Sequence, residues 1–232
     1  MGIHIARRFR GPPESGNGGY SCGVVASLLD GPSEVTLRSP PPLDVPFEVE
    51  REGDGVRVLA SGQLVADARA ITLEITPPAA PSFAEASDAT QHYLWWKTHP
   101  YPMCFVCGPE RPPGDGLCIF PAAVAGRDVA AAPFVPDDTL VDESGRVRPE
   151  IVWAALDCPS WFGYACFHPH DPSVLLGRLA ARIDGRPRAG ERCVVVGWFL
   201  GKEGRKISCG SALYGESGAP LAVARATWIN LK

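Results

Sequence analysis

The sequence predicts an α+β protein with two similar halves, each a long helix wrapped by a curved antiparallel sheet. In each half an apolar helical run precedes a series of strand-like segments: Tyr20 to Leu29 in the first half and Pro149 to about Tyr164 in the second. The segments are 33–38, 45–51, 55–60 and 63–76, then 175–183, 192–202, 205–215 and 220–230. The same order of elements, given twice, is what a fused and diverged dimer would leave.

Turn residues separate the strand-like segments. Gly53-Asp54-Gly55 and Ser61-Gly62 are hairpin signals in the first half, and 201–204 and 216–218 mark turns in the second. The 24 prolines and 25 glycines are dispersed between apolar runs, so they punctuate many short elements.

A Pro-rich stretch around 79–113 is the expected boundary between the halves. It divides the chain into an N-terminal half, 1–80, a connecting segment that enters the second half, 81–128, and a C-terminal half, 129–232. Each half is long enough to form part of a genuine hydrophobic core without disulfide or metal support.

Composition excludes several classes of function. The 22 basic and 26 acidic side chains give a net charge of −4, and the longest basic cluster is Arg7-Arg8-Phe9-Arg10, which argues against a nucleic-acid partner. No stretch approaches the roughly 20 apolar residues of a membrane span, and the first ten residues lack the apolar core of a signal peptide. We therefore expect a cytoplasmic protein without membrane attachment.

Four short motifs, spread over nearly the whole chain, carry a family resemblance. They are Gly16-Asn17-Gly18-Gly19-Tyr20, the Cys104 to Gly108 segment with Gly116-Leu117, Val152 to Asp157, and the closing hairpin from Gly204 to Trp228. In this order and spacing they resemble the hotdog thioesterase superfamily in its double, or tandem, form. The resemblance implies hydrolysis of an acyl-CoA at the interface of two hotdog halves, no cofactor, and a homodimer of the fused unit.

Thioester hydrolysis needs donors that polarise the acyl carbonyl and a group that activates water or attacks. The first N–H groups of a helix lack intrahelical partners, so Gly18 and Gly19 are the predicted donors. Asp157, seven residues after Glu150, matches the helix carboxylate of similar thioesterases and is the predicted base or nucleophile. Ala26 stands at the equivalent place in the first helix, so we expect one live site and one relic.

Further residues are predicted to bind substrate. Asn17 and Tyr20 flank the glycine pair, Ser160 and the aromatic Trp153 and Trp161 accompany Asp157, and Arg205 with Lys206 would receive coenzyme A phosphates. Double hotdog thioesterases also use a Thr or Ser and a Gln from later strands; Ser160 and Thr227 are candidates for the first, and no Gln is identified.

Alternatives stay open for each of these residues. Asp157 could be a helix-end carboxylate, because Pro159 removes a backbone donor two residues later. The stretch from Gly16 to Gly19 could be a flexible turn before a helix cap. The whole protein could be a non-catalytic acyl-CoA or lipid-binding protein. A hotdog dehydratase is rejected, because neither predicted helix contains a histidine.

The pair Cys104 and Cys107 has the spacing of zinc ligands, with Cys118 or His99 as further candidates. A second Cys-x-x-Cys pair is absent from the sequence, and four ligands would require irregular spacing. The sequence therefore favours a buried structural turn, and no metal site is predicted.

Overall fold

The computed structural model describes residues 3–112, 114–170 and 173–231. In these ranges the helices are α1 (Gly18–Ala26), α2 (Phe83–Thr90) and α3 (Pro149–Ala165). The strands are β1 (Ser33–Leu37), β2 (Glu48–Glu52), β3 (Gly55–Ala60), β4 (Gln63–Ala70), β5 (Ala122–Ala123), β6 (Ala130–Phe134), β7 (Val174–Ile183), β8 (Cys193–Glu203), β9 (Lys206–Tyr214) and β10 (Pro220–Asn230).

The strands form a single antiparallel sheet in the order β2-β3-β4-β1-β7-β10-β9-β8-β6-β5. The halves join in the middle of this sheet, where β1 pairs with β7 and Val35 lies opposite Leu179. Outward from this seam, β4, β3 and β2 on one side correspond to β10, β9 and β8 on the other. The order of strands therefore has an approximate twofold symmetry, as the repeated sequence plan predicts.

Helices α1 and α3 lie together on one face of the sheet, and the main core fills the space between them and the strands. Successive residues of a strand point to opposite faces. Val195 of β8 accordingly belongs to this core, whereas Val194 and Val196 belong to a second cluster with Ala86 and Ala89 of α2. Helix α2 therefore covers the opposite face of the C-terminal half.

The structure corrects several predicted boundaries. Helix α1 begins at Gly18 and ends at Ala26, not at Tyr20 and Leu29, because the Asn17 side chain caps it by accepting a hydrogen bond from the Tyr20 N–H. Strand β4 ends at Ala70 and not at residue 76. Beyond Ala70 the chain leaves the sheet, and Leu73 packs into the hydrophobic cluster under α2.

Three elements were not predicted. Helix α2 and strand β5 lie in the segment expected only to connect the halves, and β6 precedes α3 in the second half. A capping box from Ser82 to Glu85 fixes the start of α2. Pro133 interrupts the strand signal of β6. The simple plan of one helix followed by strands is therefore incomplete.

Pro159 lies inside α3, which runs on to Ala165 and confirms the predicted helical run from Pro149 to about Tyr164. All residues from Ile151 to Ala165 are buried, so packing on every side outweighs the roughly 3 kcal/mol that an interior proline costs. Within the described ranges, none of the helices has the length and apolarity that crossing a membrane requires.

Helix α3 approaches the backbone of β8 at two glycines. A Cβ placed on Gly197 would lie 1.8 Å from the Pro159 carbonyl oxygen, and one on Gly163 would lie 2.3 Å from the backbone nitrogen of Trp198. Both distances are far below any real contact, so only glycine permits this packing of helix on sheet.

Replacing Gly197 with Ala should therefore destabilise the protein by about 3 kcal/mol or more, because α3 must move away from β8. Gly201→Ala in the same strand is the matched control, since a Cβ there meets nothing within 4 Å, and its effect should stay within about 0.5 kcal/mol. Chemical denaturation of both variants measures the difference. Equal stabilities would show that the helix is not held against the strand in this way.

Candidate active site

A mostly apolar cavity lies where the N-terminus of α1 meets α3 and the ends of β7 and β10. Its walls come from distant parts of the chain: Gly11, Pro12, Asn17, Gly18, Trp95, His99, Pro100, Tyr101, Cys104, Cys107, Asp157, Cys158, Trp161, Phe162, Val174, Leu175, Leu176 and Trp228. A few polar groups among many aromatic and apolar ones are typical of a small-molecule site.

Asp157 is the buried carboxylate of this cavity, with 2% of its surface exposed. Its Oδ2 accepts hydrogen bonds from the Gly19 backbone N–H, at 2.9 Å, and from Asn17 Nδ2, at 2.8 Å. Its Oδ1 is buried and has no hydrogen-bond partner among the described residues. One oxygen thus fixes the carboxylate, and the other is left for a molecule in the cavity.

Close packing of α1 on α3 creates this arrangement. A Cβ on Gly19 would lie 2.4 Å from Asp157 Cβ, and a Cβ on Gly23 would lie 2.6 Å from Glu150 Cα. The two glycines let the helix backbones touch, so an N–H at the positive end of α1 reaches a carboxylate in the middle of α3. Asp157 is therefore not the helix-end carboxylate of the alternative interpretation.

Burial raises the pKa of Asp157 to about 7, and the hydrogen bonds from Gly19 and Asn17 oppose this rise. Desolvation disfavours the charged carboxylate, whereas two donors favour it, and desolvation is the larger effect. A carboxyl group with such a pKa can exchange a proton near neutral pH.

Trp161 follows Asp157 by one helical turn and lines the same cavity. Its indole Nε1 is buried and has no hydrogen-bond acceptor in the described part of the chain. An N–H donor and a carboxylate oxygen, both unpaired, therefore occupy one face of α3. Sequence reasoning selected Trp161 as an aromatic wall residue, but it gave no sign of the free donor.

The equivalent place in the first half carries no polar side chain. The antiparallel packing of the helices sets the C-terminal end of α1 against the start of α3, so Ala26 is the counterpart of Asp157. Ala26 is buried and belongs to the hydrophobic core. It supplies no carboxylate, and the expectation of one live site and one relic stays a prediction.

Gly18 and Gly19 have different places in this geometry. The sequence suggested that the Gly19 N–H would bind a substrate carbonyl. In the structure this N–H donates to Asp157 and is not free to do so. Gly18 is the first residue of α1 and lines the cavity, and its N–H has no partner within the helix. The predicted pair of donors is thereby reduced to Gly18.

Several other predicted residues do not line the cavity. Tyr20 stacks on Phe9, with ring centroids 3.9 Å apart, and Trp153 lies between the helices against Gly23. Ser160 Oγ donates to the Asp157 backbone carbonyl and accepts from Trp228 Nε1, so its hydrogen bonds are structural. Thr227, the other candidate partner, lines a separate groove.

Of the two predicted phosphate-binding residues, Lys206 lines that separate groove and Arg205 lies exposed at the adjacent turn. Lys202, Arg38 and Arg178 line the groove as well. A smaller depression shares Trp161 with the cavity and Lys202 with this basic groove.

Three thiols converge in the cavity wall: Cys104, Cys107 and Cys158 lie within 4.8 Å of one another and are all buried. The sequence identified the first two as a pair. Cys158 comes from α3, 54 residues after Cys104, and its contribution was missed because nothing in its spacing relates it to them. Cys118, a candidate ligand from sequence, is not a member of this group.

Comparison with known proteins identifies the fold. No protein-family model matches this chain, and no curated protein does. Among solved structures, a protein from Novosphingobium aromaticivorans described as a candidate thioesterase matches with a TM-score of 0.61 and 14% identity, over 99% of this chain and 94% of that one.

Two further solved structures match at similar length. The tesB protein of Mycobacterium avium subspecies paratuberculosis has a TM-score of 0.55 and 11% identity, over 92% of this chain and 86% of its own. A Lactobacillus plantarum protein described as a candidate oleoyl thioesterase has a TM-score of 0.57 and 10% identity, over 100% of this chain and 96% of its own. The chain thus has the α+β tandem hotdog fold, which confirms the resemblance read from the sequence at the level of fold.

Asn17→Ala should cost about 3 kcal/mol of stability, because it removes both the cap of α1 and a donor to a buried carboxylate. Ser82→Ala is the matched control, since it removes only the cap of α2 and should cost about 1 kcal/mol. Urea denaturation of both variants gives the comparison. If Asn17→Ala lowers the free energy of unfolding no more than Ser82→Ala does, the hydrogen bond from Asn17 to Asp157 contributes nothing to stability.

Proposed function

We propose that this chain hydrolyses an acyl-CoA thioester in the cavity, with Asp157 as the base that activates water. The observation that carries the proposal is the state of the Asp157 carboxylate. One oxygen is fixed by the Gly19 N–H and Asn17, and the other is buried in the cavity wall without a hydrogen-bond partner among the residues that the structure describes. The tandem hotdog fold, found in proteins described as thioesterases, supports this reaction class.

The reaction needs donors where negative charge develops on the acyl oxygen. In the proposed complex that oxygen accepts hydrogen bonds from the Trp161 indole N–H and the Gly18 N–H. Asp157 Oδ1 takes a proton from the attacking water, a tetrahedral intermediate forms, and the carbon–sulfur bond breaks. The proton on Asp157 then passes to the departing CoA thiolate, so the carboxylate is regenerated.

The size and lining of the cavity favour a short or aromatic acyl group. Its volume is about 80 Å³, and aromatic residues, including Trp95, Phe162 and Trp228, form much of the wall. A long alkyl chain would have to displace packed core residues, whereas a flat ring can stack on the existing walls.

The basic groove is the proposed place for the coenzyme A phosphates. Lys202 and Lys206 form no ion pair with any described residue, whereas Arg38 is paired with Asp67 and Arg178 lies 3.7 Å from Glu34. The depression shared by Trp161 and Lys202 gives the pantetheine arm a route from cavity to groove. Arg205 at the adjacent turn would add charge at its mouth.

A cytoplasmic location fits the chemistry of the thiols. All eight cysteines are free, six of them buried, and proteins of reducing compartments keep their thiols in this state. The homodimer of the fused unit stays a prediction from the resemblance.

The test is hydrolysis of a panel of acetyl-, benzoyl- and palmitoyl-CoA by wild type and by Asp157→Asn. We expect turnover of the short and aromatic substrates, and a loss of 100-fold or more in the variant, because the amide cannot accept a proton from water. The variant should keep its melting temperature within a few degrees. Glu150→Gln is the control, because it makes the same carboxylate-to-amide change in α3 at a residue that does not line the cavity, and it should retain activity.

If no substrate is turned over while acyl-CoA raises the melting temperature of the wild type, the protein is a non-catalytic acyl-CoA-binding protein. Turnover that survives in Asp157→Asn would instead remove Asp157 from the reaction.

Trp161→Phe tests the second unpaired group. The substitution keeps an aromatic ring in the wall and removes only the N–H, so kcat should fall by about 10- to 100-fold with little change in KM. Trp96→Phe is the matched control, because Trp96 is 43% exposed and does not line the cavity. A rise in KM without a fall in kcat would assign Trp161 to substrate binding alone.

A further inference from the structure

The cluster of Cys104, Cys107 and Cys158 has the dimensions of a metal site. Three thiolates bound to zinc at about 2.3 Å in tetrahedral geometry stand roughly 3.8 Å apart. Cys104 Sγ and Cys158 Sγ are 3.9 Å apart, and all three sulfur atoms lie within 4.8 Å of one another. The thiols thus already surround a point suited to one ion.

Several hydrogen-bond donors lie around the Cys104 sulfur. The backbone N–H groups of Val106 and Cys107 are directed at its sulfur, and the Asn17 amide nitrogen lies 3.8 Å away. The turn that aims these N–H groups depends on Gly108, where a Cβ would lie 2.5 Å from the Cys104 nitrogen. Hydrogen-bond donors of this kind commonly surround the ligand atoms of a metal site and fix their orientation.

His99 supports the cluster from outside. Its Nδ1 accepts a hydrogen bond from the Tyr101 N–H at 2.8 Å, so the neutral ring carries its proton on Nε2. That nitrogen lies 3.3 Å from Cys107 Sγ and donates to it. In this orientation His99 is a hydrogen-bond donor to a thiolate and does not occupy a coordination position.

We propose that Cys104, Cys107 and Cys158 bind a zinc ion, with the fourth coordination position open to the cavity. Thiolates in tetrahedral arrangement select zinc, and sites with three protein ligands leave the fourth position to water or another small ligand. All three cysteines line the cavity, so that position is reachable from it. On binding, each thiol gives up its proton to solvent and no electron is transferred.

The zinc site shares the cavity with the proposed hydrolysis, but the argument for it does not depend on that reaction. It rests on the thiols and their donors alone, and its test uses no thioester. A protein that binds zinc and hydrolyses nothing would support the zinc site and contradict the proposed function. A protein that hydrolyses acyl-CoA but binds no zinc would support the function and contradict the zinc site.

The experiment loads the reduced full-length chain with ZnCl₂, removes free metal by gel filtration, and measures zinc by mass spectrometry. We expect about one zinc per chain in the wild type and in Cys209→Ala, whose thiol is buried outside the cluster. Cys107→Ser should retain less than about one tenth of that amount, and His99→Ala should bind zinc 10- to 100-fold more weakly.

A second measurement does not depend on the variants folding. Wild type loaded with cobalt(II) should show thiolate-to-cobalt charge-transfer absorption of an intensity that matches three thiolates, and tetrahedral ligand-field bands. Less than one fifth of a zinc per chain in the reduced wild type would overturn the proposal. So would a disulfide between Cys104 and Cys158, found by mass spectrometry in protein purified with reductant.

Discussion

The contact between the N-terminus of α1 and the middle of α3 governs the rest of the site. A carboxylate is costly to bury, and Asp157 is almost fully buried in the core between two helices. A pair of donors on one oxygen offsets part of that cost, and those donors reach it only because Gly19 and Gly23 let the helices touch. The same approach places Gly18 and Asn17 in the cavity wall. The close packing of α1 on α3 therefore also determines which groups line the site.

The sequence predicted the larger elements well because their signals are local. The start of α3 at Pro149 and the four long strands of the second half depend on apolar patterns and turn residues within each segment. Helix α2 was missed although its capping box is readable at Ser82, since proline density suggested a linker. The helical run predicted past Pro159 to about Tyr164 is present, and burial on every side offsets the cost of this interior proline.

The site itself was predicted only in outline. Asp157 and the glycine pair were found through resemblance, but the bond between Asp157 and the Gly19 N–H joins residues 138 positions apart. The unpaired Trp161 nitrogen and the third thiol are likewise products of three-dimensional packing. Residue type and spacing can suggest which groups are reactive, but which of them lack partners is decided by the fold.

The seam between β1 and β7 joins two halves that belong to one polypeptide. In a dimer of identical chains, any substitution in the helix would appear at both symmetry-related places, and the two pockets would change together. Fusion removes that restriction. Within one chain the two helices can vary independently, so Ala26 is an apolar core residue while the matching place in α3 holds the carboxyl group of Asp157.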